Sequence, residues 1–123
     1  MNVRHGLVLF AHGARDARWA EPFERIRERV TRLRPDVSTR LAFLETMSPN
    51  LAGAVAELAA LGCTDIRVAP IFFGQGGHLR NDLPALAERL GRDYPTLSFT
   101  YLPAAGDDPT VCDAVAAFCV EGM

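Results

Sequence analysis

The sequence contains no lysine, and all thirteen of its basic residues are arginine. A lysine nucleophile, a Schiff base and the phosphate-binding lysine of a P-loop are therefore excluded. Charge of one sign is not in excess either, since the formal net charge is −2 and the pI about 5.9. The overall electrostatic field therefore gives no reason to expect binding to nucleic acid.

Long apolar runs and paired cysteines are also absent. No hydrophobic stretch approaches the ~20 residues that a membrane helix needs, and the run at 7–11 is too short for the core of a signal peptide. The three cysteines form no C-x-x-C pair, which is typical of reduced thiols. We therefore expect a cytoplasmic protein without a membrane span, folded as one domain over residues 1–123.

The chain is a regular alternation of strand-like and helix-like segments. Four short apolar runs, at 7–11, 39–45, 65–73 and 97–102, are typical of strands covered on both faces. Apolar residues at helical spacing follow each run. Ser48-Pro49 is predicted to begin the second helix, Gly91 to end the third and Asp107-Asp108-Pro109 to begin the fourth. The pattern predicts a single-domain, doubly wound α/β fold, with helices on both faces of a parallel four-stranded sheet.

Candidate chemistry follows three of the predicted strands. Ligands of open parallel sheets gather at the carboxyl ends of the strands. His12 follows the first strand, Glu45 ends the second and His78 follows the third. Imidazole is a common ligand of divalent cobalt, nickel, iron and zinc, and two imidazoles with one carboxylate leave coordination positions open. The pattern favours a site that binds and releases a metal, with Glu45 as a ligand, a proton acceptor or the partner of an arginine.

Three arginines lie close in sequence to these histidines. Arg15, Arg18 and Arg80 would form a basic patch if the two loops meet, and guanidinium groups suit carboxylate ligands. The alternative is that they are surface residues at the starts of helices. His5 stands in an Arg-His-Gly motif like that of histidine phosphatases, but it precedes the first strand. We therefore expect His5 to be a surface residue at the opposite edge of the sheet.

The loop after the third strand is rich in glycine but lacks the spacing of a nucleotide-binding motif. Gly76 and Gly77 are best explained as turn residues that also let a bulky ligand approach the backbone. Phe72 and Phe73, which end the third predicted strand, could offer apolar surface to such a ligand. Their expected role is core packing.

Three segments at the strand ends carry a family resemblance: AHGARD at 11–16, AFLE at 42–45 and GGHLRNDLP at 76–84. Together they resemble the small CbiX-type sirohydrochlorin chelatases, class II chelatases that insert a divalent metal into sirohydrochlorin without ATP. The resemblance runs over nearly the whole chain and implies a flavodoxin-like chelatase domain. It matches His12 and His78 to the two metal-handling histidines and Glu45 to the acidic residue that often ends the second strand. Position 14 is Ala where Ser is common, so no hydroxyl is available there.

The resemblance implies an enzyme that inserts Co²⁺ on a cobalamin route, with Fe²⁺ and Ni²⁺ as alternative metals. The metal is then a substrate, sirohydrochlorin is the other substrate, and no organic cofactor is expected. Short members of the family work as homodimers, and two copies are expected to enclose the macrocycle. A non-catalytic carrier of metal or tetrapyrrole is the alternative of another class. A hydrolase using His12 as base is disfavoured because no Ser or Cys stands immediately after any predicted strand.

Overall fold

The computed structural model describes residues 3–74 and 77–123, apart from the side chains of residues 77–81. Strands and helices alternate through it as β1 His5–Ala11, α1 Glu21–Leu33, β2 Ser38–Phe43, α2 Leu51–Ala60, β3 Asp65–Pro70, α3 Gly77–Asp93, β4 Ser98–Tyr101 and α4 Pro109–Val120. Short 3-10 turns precede α1 and α4, at Ala17–Ala20 and Ala105–Asp107. Within these described residues, no helix is both long enough and apolar enough to span a membrane.

The four strands form one parallel sheet in the order β2-β1-β3-β4. The predicted doubly wound α/β fold is thus confirmed. In the register of the central strands, Ala11 pairs with Phe43 and Phe10 with Pro70. The ends of β1, β2 and β3 therefore lie side by side. We call this side of the sheet, formed by the residues that follow each strand, the carboxyl edge.

The core occupies both faces of the sheet because β1 is apolar from Leu7 to Ala11 and so presents apolar side chains to both faces. Val8, Phe10, Ile66 and Val68 point to one face, which packs against α2 and α3. Leu9, Ala11, Leu41 and Phe43 point to the other face, where Trp19, Phe23 and Ile26 of α1 and the turn before it cover them. Right-handed crossover connections place α1 on the opposite face from α2 and α3. The buried strands hold the carboxyl edge rigid.

Two predicted helix boundaries are wrong. The side chain of Asn50, and not Ser48, caps α2, accepting a hydrogen bond from Gly53 N at 2.9 Å, so that Pro49 lies before the cap. Helix α3 does not stop at Gly91 but continues to Asp93, and Tyr94 N still donates to Leu90 O at 2.9 Å. The predicted start of α4 is confirmed, since the Asp108 carboxylate accepts from Val111 N at 3.1 Å.

Helix α4 packs differently from the other helices. It is apolar, yet none of its residues is buried, and its main contact is with the turn at Ala105–Asp107. Phe118 is 76% exposed, and Val115 and Val120 are also exposed. Helix α1 covers one face of the sheet only over β1 and β2. On the same face, the side chains of β3 and β4 remain accessible, among them Arg67 and Thr100. An apolar helix and an open strip of sheet therefore coexist in one chain.

Candidate metal-handling site at the carboxyl edge

The backbone pairing of β1 and β2 continues beyond the strands and forms the site. Leu44 N donates to Ala11 O at 2.8 Å, and Glu45 N donates to His12 O at 3.1 Å. These two bonds join the segments that follow β1 and β2, directly beyond the last ladder pair, Ala11 and Phe43. They bring residues 33 positions apart in the sequence to adjacent places at the carboxyl edge.

His12 and Glu45 are joined by their side chains as well. Nε2 of His12 lies 3.0 Å from Oε1 of Glu45, and the two side chains are 48% and 59% exposed. The two side chains are therefore in contact and open to a ligand from solvent. Imidazole nitrogen and carboxylate oxygen both bind divalent transition metals, and both can accept protons. The two predicted candidates are thus brought together, and Glu45 contacts a histidine where the sequence left an arginine as one possibility.

A tight backbone contact fixes the distance between the two loops. Gly13 has a φ of +99°, and Thr46 on the opposite loop has a φ of +70°. A Cβ at position 13 would overlap the carbonyl oxygen of Glu45, so only glycine allows this approach. The Gly that follows His12 was the sequence signal for this contact, but its partner was not predicted.

Phe72 supports the imidazole from the side of β3. Its ring meets the His12 ring edge-on, with centroids 6.2 Å apart and an angle of 82° between the planes. The same ring packs against Phe10 in the core at 5.9 Å. Such edge-to-face contacts are favourable and fix the orientation of the rings. Phe72 therefore links the imidazole to the rigid centre of the sheet, as its predicted core packing implied.

The prediction of core packing is wrong for Phe73, whose side chain is 72% exposed. Strand β3 ends at Pro70, three residues earlier than the apolar run suggested, so the alternation of buried side chains does not reach Phe73. This exposed ring follows β3 directly and belongs to the carboxyl edge.

The predicted basic residues divide into two groups. Arg15 is exposed beside the site, whereas the guanidinium of Arg18 binds the carboxylate of Asp16, with Nη2 2.9 Å from Oδ2 and Nε 3.2 Å from Oδ1. This guanidinium, helped by the backbone N–H of Arg18, holds the pKa of the Asp16 carboxyl below its ordinary value. Sequence reasoning missed Asp16, although an acid two residues before an arginine at a turn was a visible signal.

Part of the predicted site lies outside the described residues. Gly76 and the side chains of His78 and Arg80 are in that part, and Gly77 is the first residue of α3. Since α3 follows β3, the first turn of α3 begins at the carboxyl edge. Within the described residues there is no cluster of three or more His, Cys, Asp or Glu side chains that could hold a metal.

An open cleft of about 580 Å³ adjoins Glu45, lined by the loop from Phe43 to Asn50 and by Gly53. Thr46, Met47 and Ser48 border it. Met47 was a sequence candidate for apolar surface offered to the macrocycle, whereas Thr46 and Ser48 were not predicted as site residues. At the opposite edge of the sheet, His5 Nδ1 lies 3.1 Å from Oδ2 of Asp65, and both side chains are accessible. His5 is thus a surface residue far along the strand from the site, as expected.

Known proteins resemble this chain in sequence and in fold. A sequence model of the CbiX family matches residues 6–121. The chain belongs to the CbiX family.

Three relatives place the chain within CbiX proteins and their structural neighbours. The sirohydrochlorin cobaltochelatase of Methanosarcina acetivorans is 28% identical over 122 residues, which cover 94% of each chain. The crystal structure of a CbiX protein from Marinobacter aquaeolei VT8 is 31% identical, has a TM-score of 0.82 and covers 95% of each chain. The sirohydrochlorin chelatase SirB from Bacillus subtilis subspecies spizizenii, solved with cobalt, shares the fold at 22% identity and a TM-score of 0.74. The present chain spans 93% of its own length in that match but only 49% of the SirB chain.

Proposed function

We propose that this protein is a sirohydrochlorin chelatase, which inserts a divalent metal into the metal-free macrocycle, and that Co²⁺ is its metal. The observation that carries the proposal is the accessible His12–Glu45 pair at the carboxyl edge of a CbiX-family chain. The name of the Methanosarcina acetivorans relative supports both the reaction and the metal. Fe²⁺ and Ni²⁺ are the alternative metals, because imidazole and carboxylate ligands suit all three ions.

The chemistry that the reaction needs is available in this pair. Insertion replaces the water around the metal with pyrrole nitrogens, and two pyrrole N–H protons leave for each divalent ion that enters. We assign His12 as the ligand that holds the metal while coordination positions stay open, and Glu45 as the proton acceptor beside it, 3.0 Å away. When the metal binds Nε2, the contact between Nε2 and Oε1 is lost, which leaves the carboxylate free to take a pyrrole proton.

The remaining predicted residues have proposed roles around this centre. The family resemblance assigns His78 as the second metal ligand or base. Arg15, Arg18 and Arg80 would neutralise the carboxylates at the rim of the substrate, with Arg18 exchanging its Asp16 partner for the substrate. Gly76 and Gly77 would leave room for the macrocycle beside the backbone.

A spectral time course tests the proposed reaction. Metal-free sirohydrochlorin is mixed anaerobically with Co²⁺, Ni²⁺ or Fe²⁺ and sub-stoichiometric protein, and the absorbance of the metal complex is followed against a protein-free blank. We expect wild-type protein to accelerate insertion, and His12→Ala and Glu45→Gln to lower kcat/KM by about 10²–10⁴-fold. His5→Ala is the matched control, because His5 is also an accessible histidine paired with a carboxylate, but at the opposite edge.

Each result of the time course has a distinct meaning. A rate with wild-type protein no faster than the blank would reject the chelatase. A spectral change that stops at one equivalent of protein would identify the non-catalytic carrier instead. Equal losses in His5→Ala and His12→Ala would remove the assignment of His12 as the metal ligand.

We further propose that two copies of the chain form the active unit, and that α4 lies in the interface between them. The second copy is the occupant that the surfaces favour, because each chain offers both an unburied apolar helix and an open strip of sheet over β3 and β4. The charges are complementary: the helix and the residues after it carry Asp113 and Glu121 and no basic side chain, while Arg67 is exposed on the open strip. Contiguous apolar surface of this kind marks sites of protein association.

The mass in solution tests the dimer. We expect a dimer at micromolar concentration by light scattering, and a shift to monomer when Phe118→Asp places a charge on the exposed apolar face of α4. Leu33→Asp, at a comparably exposed leucine on α1, is the matched control and should remain dimeric. A monomeric wild-type protein with full activity would reject the proposal.

The cytoplasmic location, the single domain over residues 1–123 and the lack of an organic cofactor remain predictions. Cell fractionation, limited proteolysis and the absorbance spectrum of the purified protein test them in turn. Protein found in the pelleted membrane fraction would contradict the cytoplasmic location. A stable proteolytic fragment much shorter than the chain would contradict the single domain, and a visible chromophore would contradict the lack of an organic cofactor.

A further inference from the structure

Phe73 differs from the other aromatic residues of the chain. Of the ten aromatic side chains, only Phe73 and Phe118 are mostly exposed, and Phe118 lies on α4. Phe73 is therefore the one exposed aromatic ring at the carboxyl edge. The fold gains nothing from it, because a ring that is 72% accessible buries little apolar surface.

The backbone of this segment is held firmly although the ring is exposed. Gly106 N donates to Phe72 O at 2.8 Å, which ties the end of β3 to the loop after β4. Gly106 also lies so close to Phe73 that a Cβ there would overlap the Phe73 carbonyl group. An aromatic side chain on a fixed backbone has only two torsions left to order when a ligand binds, so binding costs it little conformational entropy.

The position of Phe73 matches the shape and charge of the proposed substrate. Its neighbour Phe72 touches the imidazole of His12, so the exposed ring lies one residue from the support of the metal ligand. Arg15, exposed on the neighbouring loop, provides positive charge at the periphery. An exposed apolar ring and an exposed guanidinium on two segments of the same edge suit a flat conjugated macrocycle with carboxylates around its rim.

We propose that Phe73 binds the substrate by placing its ring against the apolar face of the tetrapyrrole, and so positions the macrocycle next to His12. This assignment rests on the proposed function, since it takes sirohydrochlorin as the ligand. It adds a contact that recognises the conjugated ring itself, where the arginines recognise only carboxylates.

Substrate binding without metal tests the assignment. Metal-free sirohydrochlorin is titrated with protein, and its absorbance or fluorescence gives the Kd. We expect Phe73→Ala to raise the Kd on the order of tenfold, and Phe73→Trp to keep it within about twofold, because tryptophan preserves the aromatic face. In steady-state assays Phe73→Ala should raise KM for sirohydrochlorin and leave kcat nearly unchanged.

Two controls separate binding from folding. Leu33→Ala truncates an equally exposed apolar side chain away from the site and should leave the Kd unchanged. The Tm of Phe73→Ala should equal that of the wild type, because the ring is exposed. A wild-type Kd in Phe73→Ala would overturn the assignment while the chelatase stands. Wild-type protein that binds sirohydrochlorin through Phe73 without inserting metal would reject the chelatase and keep the assignment, and wild-type protein that does not bind it would reject both.

Discussion

Replacing Gly13 with alanine tests the geometry of the site most directly. Gly13 follows His12, has a φ of +99° and faces the carbonyl group of Glu45, whose carbon would be 3.1 Å from an added Cβ. The overlap is with backbone, so no side chain can rotate to relieve it. The loops that carry His12 and Glu45 must separate by on the order of 1 Å to regain an ordinary contact distance.

The expected cost has two parts. An L residue at this φ costs about 1–3 kcal/mol, and the overlap adds about 1–3 kcal/mol as in other overpacked sites. A total of about 2–6 kcal/mol corresponds to a fall in Tm of about 8–24 °C for a domain of this size. Where the variant is still folded, a displacement of about 1 Å at the reacting groups predicts a loss of about 100-fold in kcat/KM.

The assay combines a thermal melt with the rate of cobalt insertion into sirohydrochlorin. Gly74→Ala, at the same edge, and Gly91→Ala, within α3, are the matched controls, because no described atom lies within 4 Å of a Cβ at either position and neither has a positive φ. Both should keep the wild-type rate, and Gly91→Ala should gain up to about 1 kcal/mol in stability. A Gly13→Ala protein with wild-type Tm and rate would refute the reasoning that this contact sets the spacing of His12 and Glu45.

Three further predictions concern stability. Leu58→Ala, at a fully buried position of α2, should lower the free energy of unfolding by about 2–5 kcal/mol in urea, whereas Leu33→Ala, at an exposed position of α1, should change it by less than about 0.5 kcal/mol. Equal effects would contradict the described core. Asn50→Ala should cost about 1 kcal/mol by removing the cap of α2, and Asn50→Asp should restore it. Hydrogen bonds from the Arg34 guanidinium lower the pKa of the Asp36 carboxyl to about 2, from an ordinary value of 3.8. The stability that this pair contributes is therefore present above pH 3.8 and is lost as the pH falls towards 2. The Tm of Asp36→Asn should lie below that of the wild type at pH 6 and equal it near pH 2. A difference in Tm that stays constant with pH would contradict this.

The fold could be predicted from the sequence because local signals and burial agree along most of the chain. Apolar runs predicted the strands. Asp108, whose side chain caps α4 in the structure, predicted the start of that helix. The boundaries that failed depend on neighbours in space. Ser48 and Pro49 have the composition of a helix start, but the side chain of Asn50 reaches Gly53 N and takes that role.

The sequence predicted which residues belong to the candidate site, but not which of their side chains contact one another. The rule that ligands meet the carboxyl ends of parallel strands selected His12 and Glu45 without knowledge of the strand order. Their direct pairing requires β1 and β2 to be neighbours in one particular register, which no local pattern encodes. The exposure of Phe73 likewise depends on where β3 stops pairing, and that is decided by its partner strand.

The hydrogen bond from Glu45 N to His12 O has a consequence for how the site is gained and lost. It lies directly beyond the ladder that joins β1 to β2, so the two strands cannot part without separating the imidazole from the carboxylate. A parallel pair of this kind closes only after the intervening helix has crossed over. A partly folded or partly unfolded chain therefore does not have His12 and Glu45 side by side. The capacity to bind metal at this pair forms and is lost together with the sheet, in one cooperative transition.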